Sequence, residues 1–241
     1  MKKQTTEPLE DFSAALNLAR EQFNQSYNDR YKLNDKYETY FKMSEALLVF
    51  LQLKTGYRVG DLLERTTRNA VQPIKTYPNG KPTFHPHLVL MEKKTEKRNK
   101  KERAVVIDAE TEKMIVQHGA YLADAFAEKV NLLGAGALDE LPLFYNPKTG
   151  KALSRQWADN RLRGGERRKT QLGDALRKMT IGHRISTHSL RKTYAHRLYE
   201  HTGCNINYVS EALGHKSITT TKHYLNINDA KSISIHLDAL K

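Results

Sequence analysis

His188 and Arg191 stand three residues apart in Thr187-His188-Ser189-Leu190-Arg191, which puts both on one face of a helix. An isolated pair of this kind is ordinarily a surface histidine beside a solvated arginine. Here other reactive groups follow at set distances. Leu213-Gly214-His215 comes after roughly one helix-turn-helix, and Tyr224 stands nine residues after His215, at the end of the threonine-rich run Ser217–Tyr224. Far upstream, Thr55-Gly56-Tyr57-Arg58 precedes Asp61, Leu62 and Leu63. Such a set suits chemistry on an anionic phosphodiester. Each guanidinium can make two parallel hydrogen bonds to phosphate oxygens, and preorganised donors act on the charge that grows there in a transition state. A tyrosine hydroxyl, with its ordinary pKa near ~10, needs a base or a positive field before it can attack.

Other chemistries find less support. Gly214-His215-Lys216-Ser217 lacks the arrangement of a phosphate-binding loop and its upstream glycine. The histidines have no HExxH spacing and no carboxylate cluster, so no metal ligand set is expected. Cys204 is the single cysteine; it can form no disulfide framework and reads as a small, partly buried residue in a reducing cytosol.

The formal charge of +13 and pI near 9.7 favour a polyanionic partner, most often nucleic acid. The excess lies in Lys93–Arg103 and Arg161–Lys178, whereas residues 1–50 are slightly acidic. Lys93, Lys97, Arg98, Lys100, Lys101, Arg161, Arg163, Arg167 and Arg168 are the expected DNA-backbone contacts. No apolar run is long enough to span a membrane and the start carries no secretory pattern, so the expected location is the cytoplasm.

The elements that must position these groups are mostly helical. Short helices are expected around Ala14–Phe23 and Tyr37–Phe41, then a strongly apolar helix from Ala46 to Leu53, closed at Gly56. Residues 70–108 are rich in proline and β-formers; Tyr77–Gly80 reads as a turn, and His87–Lys94 with Arg103–Ile107 as a hairpin in a small antiparallel sheet. Thr111–Glu128 reads as one helix. Ser154 caps another that contains Trp157, and Arg161–Lys178 as helix broken near Gly164-Gly165. Short helices follow: one capped by Ser186 or Thr187 with Leu190, Tyr194 and Leu198 as its apolar stripe, one around Val209–Leu213, and one capped by Ser217 that carries Tyr224.

TGYRVGDLL and THSLRKTYAHRLYEHTGCNINYVSEALGHKSITTTKHYLN resemble the two conserved boxes of the tyrosine recombinase (phage integrase) family, over roughly residues 44–226. Tyr57 departs from the pattern, taking a place more often held by Leu or Met. The resemblance implies a mainly α fold with a small antiparallel β-sheet (α+β), the DNA breaking-rejoining enzyme fold. It implies Tyr224 as the nucleophile, His188 as its proton acceptor, Arg58 and Arg191 as a phosphate clamp, and His215 as a donor to the phosphate. A lysine of the β-hairpin loop protonates the leaving oxygen; Lys94 fits best, then Lys97, with Lys93 and Lys100 behind. No cofactor, metal or ATP is implied. Asp61 reads as orienting Arg58 or capping its helix.

The expected layout is a short helical N-terminal extension over 1–40, a catalytic domain over 41–226 and a tail over 227–241. This is closer to the small fimbrial switch recombinases than to integrases with a separate clamp domain. The implied partners are double-stranded DNA, a homo-oligomer that is a tetramer on DNA, and an accessory DNA-binding protein that could supply the rest of the grip. Ile233, Ile235 and Leu237 are the tail residues that would meet a neighbouring protomer or fold back on their own domain. A bacterial, phage or plasmid origin fits. Two other readings stand beside this one: a relative of the same fold that binds DNA and rarely cuts, and an unrelated basic nucleic-acid-binding protein.

Overall fold

The computed structural model describes residues 6–32, 34–64, 72–76, 83–91, 102–131, 140–164, 170–180, 182 and 184–227. Its centre is α2, Lys36–Thr55. Asp35 caps it by accepting from the Tyr37 and Glu38 amides, and Gly56 (φ 61°) closes it in the left-handed conformation. Every residue from Met43 to Leu53 is buried, the signature of a helix enclosed on all sides.

The break expected between Phe41 and Ala46 is absent. Ser44 and Glu45 interrupt the apolar pattern but are buried with partners from distant segments. The Ser44 hydroxyl lies 2.8 Å from His118 Nε2. Glu45 accepts from Arg161 Nε at 3.0 Å and from the Thr170 hydroxyl at 2.6 Å.

Around α2 pack α1 (Phe12–Asn28), α4 (Ala109–Ala125) and α8 (Thr187–His201). Asp11 caps α1, which buries Ala15, Leu16, Ala19 and Phe23 along one face. Short α3 covers Val59–Leu63. Asp108 caps α4, which ends sooner than expected: Phe126 leaves the helix (φ −124°) and sets its ring against Tyr37 and Tyr40, at 4.9 and 5.6 Å between centroids. A short α5, Ala127–Asn131, continues from it.

The sheet has three antiparallel strands: β1 (Gln72–Thr76), β2 (Thr83–Met91) and β3 (Glu102–Val106), with Gln72 opposite His87 and His87 opposite Val106. The expected hairpin is there, with β2 beginning before His87 and an additional strand, β1, on its other edge. Pro73 and Pro86 face each other across β1 and β2. The β2–β3 ladder begins one residue past Pro86 and β1 is an edge, so prolines that read as breakers cost the sheet little.

A two-stranded hairpin, β4 (Tyr145–Asn146) and β5 (Lys151–Ala152), leads into α6 (Arg155–Arg163), capped by Ser154, and α7 (Gln171–Lys178), capped by Thr170. A capping box of Ser186 and Ser189 starts α8. Then come α9 (Ile206–Ala212) and α10 (Ile218–Tyr224), capped by Asn205 and Ser217. These last helices carry their own small core of Ala195, Val209, Leu213 and Leu225. Cys204, expected partly buried, is exposed in the turn before α9.

Residues 6–10 run as a strap over α8. Leu9 N donates to Thr193 Oγ1 at 2.8 Å, Lys192 Nζ donates to Thr6 O at 2.7 Å, and Asn226 Nδ2 donates to Glu7 at 3.3 Å. No helix among the described residues is long and apolar enough to cross a membrane.

Candidate active site

After Gly56 turns the chain, Tyr57 points inward and is fully buried, while Arg58 takes the extended N-cap position of α3 (φ −67°, ψ 138°). Tyr57 is thus a core anchor. Arg58 Nη1 lies 4.0 Å from Asp61 Oδ2, one turn along, with side-chain exposures of 29% and 7%. Gln52 ties this turn to α8 by donating to the carbonyls of Tyr57 (3.3 Å) and Thr187 (3.4 Å).

The first turn of α8 is held from α6. Asp159 Oδ1 accepts from Thr187 N at 3.3 Å and from Thr187 Oγ1 at 3.2 Å. His188 is exposed, and Arg191, one turn along, is 3% exposed. Arg191 donates through Nη1 to the Gly56 carbonyl and through Nη2 to the Leu213 carbonyl at 2.7 Å. One guanidinium therefore staples the segments that carry Arg58 and His215.

A cavity of about 250 Å³ opens here, walled by Arg58, Asp61, Arg155, His188 and Arg191. Arg58, His188 and Arg191, expected together from sequence, do meet; Arg155 is the wall residue that sequence reasoning missed. The Ser154 cap places Arg155 in the first turn of α6, but the side of the fold that turn faces is set by α3 and α8, far away in sequence. Partial desolvation among its neighbours, reinforced by the charges of Arg155, Arg191 and Lys192 and opposed by Asp159, holds His188 below the ordinary 6.5. It is therefore largely neutral at pH 7 and able to accept a proton.

His215 and Tyr224 form a second group, joined to the first by Arg191. Their rings meet edge to face at 5.4 Å and 75°. His215 Nδ1 is 2.9 Å from the hydroxyl of Thr221, which is fully buried. The Tyr224 hydroxyl is buried with no hydrogen-bond partner among the described residues. Burial pushes this phenol above its ordinary value, while Arg191 and then Arg58 act against that. The arginines are near enough to favour a phenolate, yet no well-formed hydrogen bond closes on the hydroxyl. Lys192 Nζ lies 6.0 Å from the ring centroid.

Of the expected DNA contacts, Arg163 is exposed at the end of α6. Arg161 turns inward instead: its side chain is 15% exposed and paired with Glu45 at 3.0 Å and Glu38 at 3.6 Å. The alternation of a short helix explains this, since Arg161 shares the inner face with Ala158 and Leu162. Lys93, Lys94, Lys97, Arg98, Lys100, Lys101, Arg167 and Arg168 lie outside the described residues, as do Ile233, Ile235 and Leu237. Among the described residues no group of three or more His, Cys, Asp or Glu is placed to hold a metal ion.

Comparison with known proteins agrees with this geometry. The tyrosine recombinase XerC of Natranaerobius thermophilus is 41% identical over 54 residues, 22% of this chain and 18% of that one. Among solved structures, the XerH site-specific recombinase bound to a palindromic difH substrate superposes with a TM-score of 0.57 at 20% identity, covering 97% of this chain and 53% of that one. The XerA recombinase gives 0.52 at 17% identity, covering 99% and 66%. The Tn1549 transposon integrase in complex with transposon right end DNA gives 0.51 at 14% identity, covering 99% and 67%. The chain spans about half the length of XerH. At these identities the likeness is one of fold, and that fold is the tyrosine recombinase catalytic fold, mainly helical with a small antiparallel sheet. The sequence model of the phage integrase family matches residues 25–231, a span that takes in Arg58, the α8 pair, His215 and Tyr224, and the chain belongs to that family.

Proposed function

We propose that this protein is a site-specific recombinase that cleaves and rejoins DNA through a 3′-phosphotyrosine intermediate. The observation that carries this reading is Arg191, a buried guanidinium that borders a cationic cavity and also acts on the Tyr224 hydroxyl. The relatives solved with a difH substrate and with transposon end DNA support duplex DNA as the substrate.

In this scheme a backbone phosphate enters between Arg58 and Arg191. Tyr224 Oη attacks phosphorus and its proton passes to neutral His188. The P–O5′ bond breaks, and the leaving oxygen takes a proton from a lysine of the β2–β3 loop, which we assign to Lys94. The products are a 3′-phosphotyrosine and a 5′-hydroxyl; attack by a second 5′-hydroxyl reverses the step and frees Tyr224. One phosphodiester replaces another, so the exchange needs no ATP. Arg58, Arg191 and His215 act on the charge growing on the non-bridging oxygens, where loss of one donor costs about 3–4 kcal/mol. Residues 41–226 form the catalytic unit, α1 buttresses it through its packing on α2, and the oligomer that pairs two DNA segments is a tetramer.

The test is adduct capture. The protein is incubated with nicked duplexes from a randomised library, and covalent complexes are recovered from a denaturing gel and sequenced to give the site. Tyr224→Phe should abolish the adduct and retain DNA binding. An adduct that survives Tyr224→Phe would remove this nucleophile, and binding with no adduct from the unsubstituted protein would favour a recombinase-fold protein that binds without cutting.

A further inference from the structure

We propose that Arg155 is a third guanidinium of the phosphate clamp, engaging the same phosphodiester as Arg58 and Arg191. The proposal rests on the recombinase reading above and adds a residue outside the set of Arg58, Lys94, His188, Arg191, His215 and Tyr224.

The three cavity arginines differ in the partners they already hold. Arg58 has Asp61 one turn along, and Arg191 holds two backbone carbonyls. Arg155 has neither an ion pair nor a hydrogen bond among the described residues. Its natural intrahelical partner is the acid at i+4, Asp159. That carboxylate is already bound to Thr187, where it holds the start of α8.

The position is unfavourable in a second way. Arg155 is the first residue of α6, and no acidic residue shares that turn. A cation at a helix N-terminus opposes the macrodipole. An unpaired guanidinium there, in a wall shared with two other arginines, is balanced by an incoming anion.

The local packing aims it at the cavity. The residue facing it across the wall is Gly60, and a Cβ there would stand 3.5 Å from Arg155 Cδ. That is an ordinary van der Waals distance, so the arginine stem packs directly beside α3. At about 250 Å³ the cavity has the volume of roughly eight waters at ~30 Å³ each. That accommodates one phosphodiester group with its nearest waters, the single anion the three guanidiniums would share. The same proximity gives Arg155 the largest charge effect on His188, so it also favours the neutral, proton-accepting imidazole.

The test is a double-mutant cycle between Arg155 and the charge of the phosphate. The site comes from adduct capture with the unsubstituted protein. Duplexes carrying either the natural linkage or a neutral methylphosphonate at the scissile position are then titrated against Tyr224→Phe and Tyr224→Phe/Arg155→Gln proteins. Arg155→Gln should weaken binding of the natural duplex about tenfold, and binding of the methylphosphonate duplex by less than about twofold. In the Tyr224 protein, Arg155→Gln should slow single-turnover cleavage roughly 10- to 100-fold, with Arg155→Lys recovering part of the loss. Equal weakening on both duplexes, or relief only when the neutral linkage is moved to a flanking phosphate, would overturn the shared-phosphate assignment. So would unchanged binding and cleavage. Absence of any adduct with the unsubstituted protein would instead remove the recombinase reading itself.

Discussion

The ring of His215 meets a buried hydroxyl, and that contact bears on which of its nitrogens carries the proton. Thr221 is buried one turn before Tyr224, with Oγ1 2.9 Å from Nδ1. If the threonine donates, Nδ1 accepts, the ring proton sits on Nε2, and Nε2–H is the donor that the proposed mechanism aims at a phosphate. Thr221→Val keeps the shape and removes this partner. It should lower cleavage roughly 10-fold, by misorienting one of several donors, with Thr221→Ser restoring most of it. Single-turnover rates on the captured duplex read this out; equal rates for Val and Ser would show that the hydroxyl orients nothing.

At the scale of elements, the turn from α2 into α3 is the tightest joint of the site. Gly56 has φ 61°, and a Cβ there would come within 2.1 Å of the Tyr194 ring on α8. Gly56→Ala therefore meets both the left-handed penalty of about 1–2 kcal/mol and an overpacking cost of about 1–3 kcal/mol. Gly203 has nearly the same φ, 63°, and nothing within 4 Å, so Gly203→Ala isolates the first cost. Urea melts should place Gly56→Ala below Gly203→Ala by at least about 1 kcal/mol; equal midpoints would mean that the ring moves aside freely. Elements are also where sequence was most and least legible. The caps at Ser154, Ser186 and Ser217 and the shared face of His188 and Arg191 could be read directly, since both depend on neighbours within a turn. The sequence of α2 reads as two helices because Ser44 and Glu45 find partners 74 and 116 residues away. Strand β1 was missed because Pro73 signals a break unless the strand lies at an edge. Arg155 and the inward turn of Arg161 were hidden for the same reason: the face a helix buries depends on elements far along the chain.

For the whole molecule, the most consequential buried group is outside the site. His118 is fully buried on α4 against Ser44 and Tyr40, and burial alone lowers its pKa from 6.5 to about 3. In the unfolded chain it takes up a proton near pH ~6.5. Between those values the unfolded state binds the extra proton, so stability is complete above pH 6.5 and falls as pH drops, by about 1.4 kcal/mol per unit. Burial raises Glu45 and so works in the opposite direction, while His188 and His196 are lowered like His118. Comparison with a variant removes these shared contributions. The stability gap between the unsubstituted protein and His118→Gln should shrink by about 2 kcal/mol from pH 7 to pH 5. A gap independent of pH in urea melts would show that His118 is protonated in the fold.

The Arg191 staple has a practical side for anyone screening variants in cells. Replacing Arg191 removes a proposed phosphate ligand and also strands the Gly56 and Leu213 carbonyls inside the protein, at about 1–3 kcal/mol for each unsatisfied group. Such a loss is enough to change the amount of folded protein several-fold. A dead Arg191 variant would thus report abundance and chemistry together, and a null allele meant to separate assembly on DNA from strand cutting is better made at Tyr224.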